Sequence, residues 1–446
     1  MKDERRVVIT GCGVATSLGL GIESLWDGLI NRRSGIRRIS SFDPGGMKTT
    51  LGSEVPAFKM GDVVPKSYRK SAKVMARDIE LAVACAYSAV RDADLITKCI
   101  IERGEADGPP SVEPTRFGAN IGAGLICADL PELADALHTC GDHQSGEFDL
   151  HKWGTEGMDR LTPLWLLKFL PNMLGCHVTI VHDAEAPSNT ITCGEASGHL
   201  AIGEAFRTIS RGDADVCICG GAESKTNPMG VIRQELFGRL VVGQDAEPEK
   251  ACRPFDASAD GMIAAENGGL LILEELEFAK ARGARIYAEV VGFGASANAS
   301  SWWEPDPEGS GIVYAIQGAM IDAGLDAGGI DMISAFGSGC TGYDQSEIAA
   351  LRTVFGDRRD IPAMTIKGSI GNSGAGSGAV DLAAATMALH QNTIPPSANT
   401  AGADTGGLLK FATQDPVDAR VKAALCVAYS LSGNQTAAVI IRKYEG

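Results

Sequence analysis

Residues 270–292 read LLILEELEFAKARGARIYAEVVG, and how this stretch divides decides the fold. Leu270–Leu273 is a short apolar run of strand character, Lys280–Arg285 is a charged break, and Ala288–Gly292 is again a strand ending in glycine. Upstream, Arg6–Gly11 and Asp215–Gly220 have the same form, and downstream so does Ala437–Ile441. Between these runs lie stretches of helical periodicity: Ala76–Asp92, Gly198–Arg211, Gly311–Ala323 and Gly378–Gln391. Strands alternating with helices predict an α/β fold whose sheets are covered by helices. Because the alternation starts afresh after Lys280–Arg285, two similar halves are expected, residues 1–280 and 281–446. The repeat is one of elements, not of readable sequence identity.

A chain of 446 residues, 44% of them hydrophobic, can bury a large core. The formal charge of −16 disfavours a general nucleic-acid surface, while leaving room for a local basic patch facing an acidic carrier. No apolar run approaches the roughly 20 residues that cross a bilayer, and the start Met1-Lys2-Asp3-Glu4-Arg5-Arg6 lacks an apolar signal core. A soluble, cytoplasmic protein without a membrane span is expected. Twelve scattered cysteines then read as reduced thiols rather than a disulfide framework. Cys217 and Cys219 alternate within a buried strand and carry no metal-ligand pattern, so no metal is expected. Residues 128–157 read as an excursion from the core: Asp129–His138 is helical in pattern, and periodicity is lost after it. His138, His143 and His151 fall there with spacing that suits a solvated loop better than a metal site.

Eight blocks, in order, carry a family resemblance. They are Val7–Gly11 with Gly13, Leu170–Met173, Ala201–Ala205, Arg211–Asp215, Gly220–Glu223, Arg253–Asp256, Leu273–Leu276 and Ile394–Pro396. Together they resemble the β-ketoacyl-acyl-carrier-protein synthases, the condensing enzymes of fatty-acid and polyketide synthesis. The resemblance implies the thiolase fold: two βαβαβαββ halves in a five-layered αβαβα sandwich, working as a homodimer or heterodimer. It implies acyl chains that arrive on the phosphopantetheine arm of an acyl carrier protein, with no other cofactor. The family's chemistry needs a thiolate at a helix N-terminus, where dipole and free N–H groups lower its pKa. It also needs two donors, usually histidines, aimed at the thioester oxygen.

The family writes its nucleophile as Cys-Ala-Ser-Gly before a helix containing Ala-Ile-Gly-Glu-Ala. Counting back from Ala201–Ala205, Ala196-Ser197-Gly198 match and Glu195 occupies the nucleophile's place. Cys193 lies two residues early, a shift of roughly 200° around a helix. A glutamate is electrostatically comfortable at a helix N-terminus. By the same resemblance Phe336 stands for the first histidine, in Ser334-Ala335-Phe336-Gly337-Ser338, and Asn372 for the second, after Lys367-Gly368-Ser369-Ile370-Gly371. Asn can donate a hydrogen bond where His did, whereas a phenyl ring cannot. Lys367 remains, with Asp381 in the place of the usual glutamate. The loop that gates the family's site reads Ser430-Leu431-Ser432-Gly433-Asn434-Gln435.

Three functions follow from this pattern. The first is a non-catalytic partner of an active ketosynthase, resembling the chain-length factors of type II polyketide synthases. In it Gly122–Ile126 and Thr162–Asn172 would fall at the dimer interface, and Leu164, Trp165, Leu167 and Phe169 would supply bulk to limit a substrate tunnel. The second is a malonyl-carrier decarboxylase, against which stand Phe336 and the repulsion between a Glu195 carboxylate and the malonyl carboxylate. The third is condensation with Cys193 or Cys340 as an unconventional nucleophile, for which no base is evident.

Overall fold

The computed structural model describes residues 5–142, 144–431 and 435–446. The first half supplies strands β1 (Val7–Thr16), β2 (Phe117–Ala123), β3 (Asn189–Ile191), β4 (Val216–Ser224) and β5 (Glu266–Glu275). The second supplies β6 (Ala288–Ala297), β7 (Met332–Ser334), β8 (Ile361–Met364), β9 (Leu409–Phe411), β10 (Ala423–Tyr429) and β11 (Gln435–Arg442). In the first half β1 pairs antiparallel with β5 and β5 with β4, and parallel pairing continues from β4 to β2 to β3. The second half repeats this: β6–β11–β10 antiparallel, then β10–β7–β8 parallel, with β9 added at the edge. The two sets join where Val7–Ile9 pairs antiparallel with Ala288–Val290. Residues 270–292 therefore straddle β1, with β5 on one side of it and β6 on the other.

The helices that build the layers and the site are α1 (Arg77–Asp92), α2 (Leu130–Cys140), α3 (Met173–His182), α4 (Ser197–Ser210), α5 (Pro228–Leu236), α6 (Ser310–Ala323), α7 (Thr341–Phe355) and α8 (Ser377–Gln391). Helices α1 and α3 share a core with one face of the first sheet, α6 and α7 with one face of the second, and α4 and α8 fill the space between. These are the five layers of the thiolase fold. Strands covered on both faces must be apolar throughout, and β4 shows the consequence. Val216 and Ile218 join the α1 core, while Cys217 and Cys219 join the core around α4 and α8. Helix α8 is buried from Ser377 to Leu389, as a central helix must be.

The duplication reaches individual residues. A Cβ on Gly13 would lie 2.0 Å from the Cys85 carbonyl oxygen of α1, and one on Gly294 would lie 2.0 Å from the Ala315 oxygen of α6. Gly11 and Gly292 stand two residues earlier, each facing an alanine one turn further along the same helix. Each half thus uses Gly-x-Gly to bring its outer helix onto its inner strand. Gly13→Ala and Gly294→Ala are expected to destabilise by similar amounts, about 3 kcal/mol each, the upper range for an overpacked core. Chemical denaturation checks this, and a harmless alanine at either place would contradict the close approach.

The excursion is more regular than its sequence suggests. After α2, Gly141 forms an isolated antiparallel bridge to Phe148, and helical turns resume over residues 150–160. Asp149 starts them by accepting the N–H groups of His151 and Lys152, a capping signal hidden in the Gly- and Asp-rich run. His138 lies in α2 and His151 in the second helical stretch, whereas His143 falls outside the described residues. Among the described residues no three His, Cys, Asp or Glu side chains converge as metal ligands, and no helix is long and apolar enough to cross a membrane.

Candidate functional site

The two central helices begin alike. Gly194-Glu195-Ala196-Ser197-Gly198 leads into α4 and Gly374-Ala375-Gly376-Ser377-Gly378 into α8. Gly194 and Gly374 adopt φ of 55° and 88°, turns that a side chain resists. Ser197 Oγ accepts the Cys193 N–H at 2.7 Å, and Ser377 Oγ accepts the Ser373 N–H at 3.0 Å. The starts touch: a Cβ on Gly198 would lie 2.9 Å from the Ala375 oxygen. The candidate site is this junction.

Glu195 lies in it, 3% exposed. Its Oε1 accepts from Lys225 Nζ and from Asn372 Nδ2, both at 3.3 Å, and its Oε2 accepts the Leu431 N–H at 3.0 Å. Burial pushes the carboxyl pKa up, and the Lys225 ammonium, the N–H groups of Leu431 and Glu195 itself, and Arg239 more than offset it. The outcome is a pKa below the ordinary value, hence an ionised carboxylate. Lys225 also stands 3.7 Å from Glu223, whose Oε2 accepts the Ala375 N–H at 2.8 Å. Leu431 is held from its other side too. Its carbonyl accepts from the Arg239 guanidinium, and the Tyr343 hydroxyl lies 2.6 Å from the same oxygen.

The remaining positions form a second cluster. Lys367 Nζ donates to Asp381 at 2.6 Å and lies 4.3 Å from the centre of the Phe336 ring, all three fully buried. Phe336 and Gly337 give their N–H groups to Glu347, which also accepts from the Tyr429 hydroxyl. The Phe336 ring packs 5.0 Å from that of Tyr429 and presents no donor. Among the described residues no hydrogen bond joins the Lys367–Asp381 pair to Glu195. So the structure unites Glu195, Asn372 and Leu431, and gathers Phe336, Lys367 and Asp381 beside them.

The thiols named in the sequence are not activated. Cys193 is half-buried with its pKa raised by burial. Cys340 begins α7, yet burial and the Asp344 carboxylate push its thiol up to about 12. A nucleophilic thiolate needs the opposite environment. Of the expected tunnel residues, Leu164 and Leu167 are 76% and 42% exposed on this single chain, while Trp165 packs edge-on against the buried Phe169. Of the gating segment, residues 432–434 lie outside the described residues.

Lys225 is the functional residue that sequence reasoning missed. The signal was a period of two: Glu223 and Lys225 follow a glycine-rich strand end and share a face, with Ser224 on the other. Arg239 and Tyr343 left no local signal, because their target is a carbonyl nearly 90 or more residues away.

Buried carboxyls give a pH prediction. Burial pushes Asp344 and Asp381 up to about 6, and Asp78 and Glu347 up to about 7. Each binds its proton more tightly folded than unfolded, so stability is fully present below the ordinary carboxyl pKa and falls as pH rises through the folded values. These four groups favour a higher thermal midpoint near pH 5.5 than at pH 8, each by at most about 1.4 kcal/mol per pH unit. His182 and His199, whose pKa values burial lowers to about 3 and about 4, act in the opposite sense over the same range. Asp78→Asn is expected to lower the midpoint at pH 5.5 relative to that at pH 8, measured by differential scanning fluorimetry.

A duplicated α/β sandwich with a polar site where its two central helices begin defines a thiolase-fold protein. Within that class, residues 4–279 match the family model "Beta-ketoacyl synthase, N-terminal domain" and residues 287–401 match "Beta-ketoacyl synthase, C-terminal domain". The chain belongs to the β-ketoacyl synthase family. It is 30% identical to a 3-oxoacyl-[acyl-carrier-protein] synthase 2 of Coxiella burnetii, over 99% of this chain and 100% of the relative. Among solved structures it resembles the ishigamide ketosynthase/chain length factor, with a TM-score of 0.83 and 29% identity over 99% of this chain and 100% of that one. A type II polyketide ketosynthase, in complex with its acyl-carrier protein and bound to the hexaketide, matches with a TM-score of 0.83 and 25% identity. That match covers 99% of this chain and 100% of the other.

Proposed function

We propose that this chain is a non-condensing partner subunit of an active ketosynthase, similar in role to a chain-length factor. The observation that carries the reading is the Glu195 side chain at the start of α4. It is held by Lys225, Asn372 and the Leu431 N–H, where condensation needs a thiolate. Phe336 adds a second deficit, since the first oxyanion donor is replaced by a ring. Leu125, Leu164, Leu166 and Leu167 are exposed on the single chain, which supports burial against a second subunit. In this reading the acyl carrier protein delivers phosphopantetheine-linked chains to the pair, and this subunit needs no cofactor of its own. Decarboxylation of malonyl chains is disfavoured, because Glu195 would repel the malonyl carboxylate.

The test is to incubate the pure chain with acyl- and malonyl-carrier proteins and follow β-ketoacyl product and carbon dioxide. No turnover is expected until a Cys-His-His ketosynthase is co-expressed and purifies with it as a one-to-one complex. Carbon dioxide release by the pure chain that disappears in Glu195→Ala would overturn the reading.

A further inference from the structure

One residue's backbone stands between Glu195 and the outer surface. Leu431 gives its N–H to Glu195 Oε2, and its carbonyl accepts from the Arg239 guanidinium on the other side. Arg239 is buried, and among the described residues no carboxylate lies within ion-pair distance of it. The nitrogen that meets Leu431 also lies 3.4 Å from the Trp303 carbonyl and 3.2 Å from the Tyr343 hydroxyl. That hydroxyl lies 2.9 Å from the Trp303 oxygen. Arg239 therefore ties together three segments that are remote in sequence: Trp303, the start of α7 and Leu431. Outside this knot is a cavity of about 350 Å³, lined by Phe237, Arg239, Trp303, Cys340 and Tyr343 among others. Phe237 and Trp303 are half-exposed, so the cavity opens to solvent. Glu195 does not line it, because Arg239, Tyr343 and then Leu431 intervene.

A hydrogen bond with one charged partner is roughly twice as strong as a neutral one. Leu431 makes such a bond at each end, to a carboxylate and to a guanidinium, in a site that excludes water. We propose that Arg239 and Tyr343 bolt Leu431 across the inner end of this cavity and so close the Glu195 site to a pantetheine arm entering from outside. They are positioning residues, acting through Leu431. The inference rests on the partner-subunit reading, in which a closed site leaves the carrier's chains to the active subunit.

Glu195→Cys supplies a reporter thiol for two reagents with the same reactive group: iodoacetamide, and pantetheine carrying an iodoacetamide group in place of its thiol. Each labelling rate is divided by that reagent's rate with glutathione. The ratio of the two then cancels thiol reactivity and reports the size of the opening. Glu195→Cys removes the inner hydrogen bond of the bolt, so the Arg239–Tyr343 end is tested alone. The pantetheine reagent is expected to be at least tenfold slower than iodoacetamide at position 195. Adding Arg239→Met should raise the ratio at least tenfold, and adding Tyr343→Phe several-fold. A merely loosened fold would speed both reagents alike. Equal rates with the bolt in place, or a ratio that neither variant moves, would overturn the proposal. Hydrogen–deuterium exchange read by mass spectrometry tests the bolt with Glu195 intact. The Leu431 amide should exchange at least tenfold faster in Tyr343→Phe, and free exchange in the unsubstituted chain would likewise overturn the proposal. Both measurements use the pure chain, so their outcome is separate from whether it co-purifies with a ketosynthase.

Discussion

Glu195→Cys is expected to yield a chain that is labelled at position 195 yet condenses poorly, and adding Phe336→His is expected to raise its turnover by about 10²–10³. The first change removes a carboxylate and leaves the Lys225 ammonium facing a thiol at the start of α4. Both the cation and the helix N-terminus favour thiolate. Iodoacetamide should therefore alkylate position 195 faster than Cys193 or Cys340, whose thiols are pushed up by burial. Acyl transfer to that thiol is one step, and enolate stabilisation during decarboxylation is another. For the second, Asn372 offers one donor and Phe336 offers none. Peptide mapping measures the labelling, and a radiolabelled malonyl assay measures turnover. Efficient condensation by Glu195→Cys alone would show that Phe336 is no obstacle.

The second large effect concerns stability. Lys367 and Asp381 form an ion pair whose side chains are only 1% and 2% exposed. Breaking such a pair strands a charge, at a cost of about 3–5 kcal/mol. The two partners are not equivalent. Asp381 already has its pKa raised to about 6 by burial, so in Lys367→Met it can take up a proton and become neutral at modest cost. Lys367 in Asp381→Asn loses its carboxylate partner and is left facing the Phe336 ring and a neutral amide. Asp381→Asn is therefore expected to destabilise by about 3–5 kcal/mol and Lys367→Met by clearly less. Urea denaturation at pH 7 compares them, and equal losses would argue against the asymmetry.

Much of the architecture was legible because it rests on periodicity. Helices expected at Ala76–Asp92, Gly198–Arg211, Gly311–Ala323 and Gly378–Gln391 occur within a residue of those bounds. Glycine-ended strands marked both halves, since each half must pair the same strands in the same order. Residues 150–160 were not legible, because a single aspartate cap rather than an apolar stripe starts them. At the site, counting from Ala201–Ala205 places Glu195 at the helix start, since helix register is local. Lys225 and Arg239 escaped because their meaning lies in what they face across the fold, 30 and 192 residues from their partners.

The matched helix starts carry an electrostatic symmetry. Ser197 and Ser377 do the same work four residues after Cys193 and Ser373, so Glu195 and Ala375 hold equivalent posts in the two halves. Where the first half places its own carboxylate, the second receives one from outside, for Glu223 accepts the Ala375 N–H. Each positive helix end thus meets one acid, and the single ammonium of Lys225 lies between the two acids. The seam between the duplicated halves is an anion-holding centre shared by both copies, and a charge changed in one copy is felt at the doorstep of the other.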